Sequence, residues 1–291
     1  TNGVAMRTYS TLCVLMLAVL MMLAGGGAVH ADELWNDSDL FPVDTRDKLT
    51  VTPVAGKSKT YGAADPKLTY IFAGAIAGET PAFTGALSRE PGEAVGTYAI
   101  TQGTLALVDN GAFKAANYKL IFTEDVTFAI TPKDVQHLTV ADINNVTYNG
   151  KAHTPEPEVK DGDKELTKDT DYTLAYANNT NAGNATVTVT GKGNYGGTRD
   201  KTFTINKATV TVTPDAGKSK VFGSDDPALT YTFTGVAAGQ TPGFTGALAR
   251  VAGEVVGTYP INQGTLAIVD HGAFLTGNYT LAFTEGVKFA I

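Results

Sequence analysis

The stretch Thr52-Pro53-Val54-Ala55-Gly56-Lys57-Ser58-Lys59 returns as Thr213-Pro214-Asp215-Ala216-Gly217-Lys218-Ser219-Lys220. Working outward from it, residues 49–130 lie over 210–291 with a constant offset of 161 and no gap. About two thirds of the aligned positions are identical, the mark of a duplicated structural unit. Each copy closes on Asn-Tyr and two alternating runs: Tyr118, Leu120 and Phe122, then Val126, Phe128 and Ile130, matched by Tyr279, Leu281, Phe283, then Val287, Phe289, Ile291. A period of two marks strands with one buried face. With the acidic turn Glu124-Asp125 between them, the two runs read as a hairpin. Between opening and closing the punctuation is dense: Tyr61-Gly62, Asp65-Pro66, Gly74, Gly78, Thr80-Pro81, Gly85, Pro91-Gly92, Gly96, Gly103 and Gly111. That spacing leaves no room for an ordinary helix.

The segment between the copies, 132–207, has a different sequence and the same grammar. Tyr172, Leu174 and Tyr176 alternate, and Val187 and Val189 alternate with Thr186, Thr188 and Thr190. Threonine on the wet face favours strands through its branched Cβ while staying soluble. Asn194-Tyr195 precedes the final strand here, as Asn117-Tyr118 and Asn278-Tyr279 do in the copies. The connections Thr131-Pro132-Lys133 and Asn206-Lys207 are too short to behave as flexible coils. A semi-rigid rod of neighbour-touching domains is the expectation.

The N-terminus carries Met6, Arg7, an apolar run Leu12 to Leu23, and a small-residue exit ending at Ala31. This reads as a secretory signal peptide cleaved after Ala31, with an apolar run short of the ~20 residues of a spanning helix. Cleavage removes Arg7, the single Cys13 and all four methionines, and moves the net charge from −7 to about −8. A cysteine-free exported chain is held by packing alone. Its acidic balance argues against nucleic acid and against an anionic membrane surface as partners, and no membrane insertion of the mature chain is expected. Residues 32–48 show no sustained period and read as a flexible linker. Residues preceding Met6, and an end on the last residue of a repeat, suggest a chain cut from something longer.

The pattern Ala-Gly-Lys-Ser-Lys, Tyr61-Gly62, Asp65-Pro66, Gly96-Thr97-Tyr98 and Asn117-Tyr118, repeated with Phe222-Gly223, Asp226-Pro227, Gly257-Thr258-Tyr259 and Asn278-Tyr279, resembles the MBG-type repeats of bacterial surface proteins. The middle segment, with Tyr148-Asn149-Gly150, Asp171-Tyr172 and Gly191-Lys192-Gly193-Asn194-Tyr195, is similar to YDG-type and bacterial immunoglobulin-like repeats. Phe222 and Asn149 stand where those patterns more commonly have Tyr and Asp. The resemblance covers about 49–291 and implies secreted or cell-surface proteins built of tandem stalk or adhesin modules. It carries over no catalytic residue.

Sequence motifs for chemistry are weak. Gly191 to Gly196 matches the dinucleotide fingerprint letter for letter, but a strand follows where a phosphate-binding helix is needed. Gly56-Lys57-Ser58 and Gly217-Lys218-Ser219 end like a P-loop, yet its first glycine falls on Val51 and Val212, so they read as polar turns between the first two strands. Asp161-Gly162-Asp163 lacks the glycine and glutamate of an EF-hand, with Leu166 and Tyr172 in their places; a looser calcium site from Asp161, Asp163, Asp169 and Asp171 competes with a solvated acidic loop. His137, His153 and His271 are isolated, and His271 is Asn110 in the first copy, so no zinc site is expected. The recurring carboxylates Asp65/Asp226, Glu93/Glu254, Asp109/Asp270 and Glu124/Glu285 could pair for glycoside hydrolysis, but their contexts look like turn chemistry. The sequons at Asn145, Asn178, Asn184 and Asn278 read as asparagine-rich turns.

The reading is an all-β chain: a signal peptide (1–31), a linker (32–48), an MBG-type domain (49–131), a YDG/Ig-like domain (132–207) and a second MBG-type domain (208–291). The three tandem domains are expected to be small antiparallel Ig-like sandwiches, with a β-grasp-like sheet as the alternative. The expected function is that of a non-enzymatic secreted or bacterial cell-surface stalk module with no catalytic residue, no cofactor and no metal. The partners expected are neighbouring repeats and an extracellular glycan or protein. An adhesin using the loop aromatics Tyr98 and Tyr259, or an accessory region of a larger secreted enzyme, are the alternatives.

Overall fold

A computed structural model describes residues 44–291. The leader 1–31 and most of the linker lie outside the described residues. The described chain is all-β, and its helical geometry is limited to the three-residue 3-10 turns Ala115–Asn117, Val135–His137 and Thr276–Asn278. Its residues fall into two compact units. The smaller takes in 73–82 and 107–121 with the described residues before Val51, 44–50, and the larger combines Val51–Phe72, Phe83–Ala106 and Phe122–Ile291. The first strand, Asp47–Pro53, opens two residues inside the stretch expected to be a flexible linker.

In the smaller unit the ring of Tyr118 stacks on Phe113, 4.7 Å between centroids. Its hydroxyl donates to Glu79 Oε2 (2.7 Å) and accepts from the Ile76 amide (3.0 Å). Burial and the neighbouring Glu79 carboxylate both push the Tyr118 phenol above its ordinary pKa.

The second repeat lies wholly in the larger unit and shows how the unit is built. Strand Ala208–Pro214 pairs antiparallel with Tyr231–Thr234 on one side and parallel with Tyr279–Phe283 on the other. A second sheet joins Ala249–Arg250, Thr258–Asn262 and Lys288–Ala290, all antiparallel. Val212, Leu281 and Phe283 from the first sheet meet Ile261 and Phe289 from the second, closing a core between them. That is sandwich packing, with alternate residues of both sheets turned inward.

One expectation fails at this point. The closing runs do not form a hairpin: Tyr279–Phe283 belongs to one sheet and Lys288–Ala290 to the other, so the Glu285-Gly286 corner carries the chain across the sandwich. In the first repeat Thr127–Thr131 likewise pairs with Gly96–Thr101. Alternation fixes which face is buried, and two runs facing one core from opposite sheets alternate as hairpin partners do. The pairing is also mixed rather than purely antiparallel. Besides the parallel pair just given, Ser58–Thr60 runs parallel to Thr127–Thr131 and Val146–Thr147 parallel to Thr198–Asn206. Parallel neighbours need a long crossover, which intervening strands supply here in place of a helix.

In the middle segment the order is Val146–Thr147, Thr198–Asn206, Gly183–Gly191, Tyr172–Ala177. Ala185, Val187 and Val189 are fully buried while Thr186, Thr188 and Thr190 are half-buried on the other face. Opposite lies a sheet of Thr139–Val140, Val159–Asp161 and Lys164–Glu165, and Val140, Val159, Tyr172 and Val189 pack together in the core between the two.

Candidate functional site

Two features of the larger unit recur: the corner where each Asn-Tyr pair sits, and a cluster of four charges. Asn194-Tyr195 and Asn278-Tyr279 both follow a turn that delivers the asparagine to the module boundary. In the second repeat Asp270 Oδ1 accepts from the Thr276 amide (2.7 Å), fixing the 3-10 turn that ends on Asn278. Asn278 is 97% shielded from solvent, although asparagine is ordinarily exposed. Its Oδ1 accepts from the Ala182 amide (2.8 Å) and its Nδ2 donates to Asn181 Oδ1 (3.1 Å), both in the preceding module. Tyr279 meets Tyr148 edge to face at 5.3 Å and stacks on Phe274 at 4.4 Å. Its hydroxyl donates to Gln240 Oε1 (2.7 Å), while Gln240 Nε2 donates to the Tyr148 hydroxyl (2.8 Å). Val187, Phe203 and Ile205 of the middle segment form one core with Val210, Phe274 and Tyr279 of the repeat. The two modules share a hydrophobic interior.

The other boundary within this unit repeats the arrangement. The Val95 amide of the first repeat donates to Asn194 Oδ1 (2.8 Å), and Tyr61 meets Tyr195 edge to face at 5.5 Å, 74° between planes. Lys164 lies over both rings, its Nζ 6.0 and 5.6 Å from the centroids. In both cases an asparagine accepts from a backbone amide of the preceding module and a tyrosine packs on that module's tyrosine. Tyr61-Gly62 and Tyr148-Asn149-Gly150 are therefore the receiving half of one joint, and Asn-Tyr is the entering half.

The charge cluster lies inside each repeat. Lys59 and Arg89 have side chains only 4% and 8% exposed, and Asp65 and Glu93 hold them. Lys59 Nζ is 2.6 Å from Asp65 Oδ1 and also bonds Glu93. Arg89 uses all its N–H groups: Nε and Nη2 on Asp65 (2.6 and 3.2 Å), Nη2 on Glu93 (2.7 Å), and Nη1 on the carbonyls of Glu90 and Gly92 (3.0 and 2.6 Å). Its guanidinium carbon lies between the rings of Tyr98 and Phe128, 5.1 and 5.2 Å from their centroids. Lys220, Asp226, Arg250 and Glu254 repeat the cluster, with Tyr259 and Phe289 as the rings.

Hydrogen bonds from Arg89, then Lys59, hold the Asp65 carboxyl down to about 2, and the same contacts from Arg250 and Lys220 hold Asp226 at about 2. Glu93 is lowered too, first by Lys59. Asp65, Asp226 and Glu93 are thus held as carboxylates by the cations they pair with. A folded pKa below the unfolded value contributes stability above the unfolded value that is lost as pH falls through the folded one. Thermal midpoints should therefore drop as pH falls from about 4 to about 2. In the Asp65→Asn, Asp226→Asn variant the midpoint should be lower at neutral pH and flatter through that window. Parallel profiles for the two proteins would contradict this role.

Tyr98 and Tyr259 are half-buried strand residues whose hydroxyls donate to the Ala94 (2.7 Å) and Val255 (2.6 Å) carbonyls, and their rings cover the arginines. Asp161 bonds Lys133 and Tyr195, and Asp171 accepts from the Thr167 amide. Among the described residues no three His, Cys, Asp or Glu side chains come together as a metal site. His271 and Asn110 fill the same place, each bonding a carbonyl thirty residues back, Thr241 or Thr80. Gly191-Lys192-Gly193-Asn194-Tyr195-Gly196 leads into strand Thr198–Asn206. Beside each charge cluster runs an open groove, of about 500 Å³ in the first repeat along Asp65–Leu68 and Ala86–Glu93, and about 650 Å³ in the second. Lys59 and Arg89 were not evident as a site: Asp65 lies near Lys59 and Glu93 near Arg89 in sequence, but the contacts that join the two pairs into one cluster, Arg89 to Asp65 and Lys59 to Glu93, span 24 and 34 residues.

Comparison with protein families matches residues 49–128 and 210–289 to the MBG domain (YGX type). No similar sequence is found among curated proteins.

Proposed function

Since the chain belongs to the family of YGX-type MBG domains, which it carries in two copies, we propose that it is a non-enzymatic stalk module of a secreted or bacterial cell-surface protein. MBG domains occur in the repeat regions of surface and secreted proteins and are typically extracellular. Among the described residues no helix is long and apolar enough to cross a membrane. The observation that carries the reading is the core shared by the middle segment and the second repeat. A spacer transmits position only if its joints are stiff, and a joint that buries a tyrosine and satisfies an asparagine on the neighbouring module resists bending. Spin labels on exposed sites of the two modules should give one narrow distance distribution. A broad distribution in the intact chain would reject the spacer reading.

The adhesin reading, with an extracellular glycan or host protein as partner, draws on the paired open grooves beside Asp65 and Asp226. Each groove is lined by backbone turns, an arginine and the two carboxylates that arginine pairs with, joined in the first repeat by Lys67 and Glu90. Binding on a glycan and matrix-protein array would support it, and a blank array would reject it.

A further inference from the structure

The second repeat exposes four apolar side chains, Val221, Phe222, Val255 and Val256, each at 66% or more. Single exposed apolar residues are ordinary, but a cluster of this kind marks an interaction surface. The offset of 161 puts Phe222 in the place of Tyr61 and Val256 in the place of Val95. Those two first-repeat residues receive the middle segment: Tyr61 packs on Tyr195, and the Val95 amide donates to Asn194. Around the patch the second repeat keeps the same framework. The Lys220 amide donates to Ala290 O (3.0 Å), and the Gly257 amide donates to Ile291 O (3.1 Å). Where the first repeat has Thr60 and Ala94 beside the receiving residues, the second has Val221 and Val255, so the face becomes more apolar.

We propose that this face is a docking surface for a further β-module of the middle segment's type, joined in tandem and presenting an Asn-Tyr corner. The Val256 amide donates to that module's asparagine Oδ1, and Phe222 takes its tyrosine edge to face. Phe222 lacks the hydroxyl of Tyr61, which among the described residues makes no hydrogen bond, so the exchange keeps the packing contact. The proposal rests on the geometry of the joints and not on the stalk reading. The test lengthens the whole chain after Ile291 by a second copy of residues 131–207. Exchange of the Val256 amide should slow by about tenfold or more relative to the unlengthened chain, as local opening comes to require undocking. The slowing should vanish when the asparagine in the added copy corresponding to Asn194 is replaced by alanine, with the added module's strand amides still protected as proof of folding. A folded added module that leaves Val256 exchanging as before would overturn the proposal. So would an unlengthened chain that sediments as a dimer and returns to monomer with Phe222→Ser, since the occupant would then be a second copy of this chain.

Discussion

A chain carrying Tyr279→Ala is expected to lose about 4 kcal/mol, the range for deleting a large buried aromatic ring. More tellingly, it should change how the protein unfolds. The ring is almost fully buried, stacked on Phe274 and edge-on to Tyr148 of the middle segment, and its hydroxyl accepts from the Ala237 amide (3.1 Å) while donating to Gln240. Removing it opens a cavity in the core that the two modules share and strands Gln240 between partners. The intact pair should melt in one transition, because the core they share couples the core each module has of its own. The variant should melt in two. Tyr279→Phe, which keeps the ring and leaves only Gln240 Oε1 and the Ala237 amide without the hydroxyl, should cost only about 1–2 kcal/mol and keep the single transition. Calorimetry of the three proteins distinguishes these outcomes, and a Tyr279→Ala protein that still melts once near the wild-type temperature would contradict the shared core.

Gly235→Ala is the second large effect, expected to cost roughly 3 kcal/mol or more through backbone strain and a clash that no rotamer relieves. Gly235 ends strand Tyr231–Thr234 at φ 88, and a Cβ there would fall 1.9 Å from the Thr209 carbonyl oxygen of the paired strand. Gly74 holds the same place in the first repeat, at φ 100, with the Lys48 carbonyl 2.2 Å from where its Cβ would be. Denaturant titration reads the loss directly. By contrast Gly217→Ala, at an open turn with nothing near its missing Cβ, should cost only the strain of its positive φ. Equal losses at the two glycines would show that the close approach at Gly235 is not tight.

Much of the architecture could be read from the amino acids. The alternation of Ala185, Val187 and Val189 with threonines predicts which side is buried, and the dense glycines predict turns where the chain turns. What alternation does not carry is the identity of the neighbouring strand, which is why the Tyr279–Phe283 and Lys288–Ala290 runs looked like a hairpin and why the parallel pairs were not foreseen. The Asn-Tyr pair was visible three times as a closing feature. Its partner was equally visible, as an aromatic beside glycine in Tyr61-Gly62 and Tyr148-Asn149-Gly150, but nothing in a linear pattern says that the one docks on the other across a module boundary. The charge clusters were hidden for a related reason. Lys59 and Arg89 look like solvated side chains until folding brings Asp65 and Glu93 around them.

The central claim is that each asparagine locks its module to the one before. Hydrogen exchange at the Val95 and Ala182 amides tests it most directly, because both are loop amides whose acceptors are Asn194 and Asn278 of the following module. The account predicts exchange slower by about two orders of magnitude than at an open loop amide, lost at Val95 in Asn194→Ala and at Ala182 in Asn278→Ala while the strand amides stay protected. Exchange at the free-loop rate in the unsubstituted protein would contradict it.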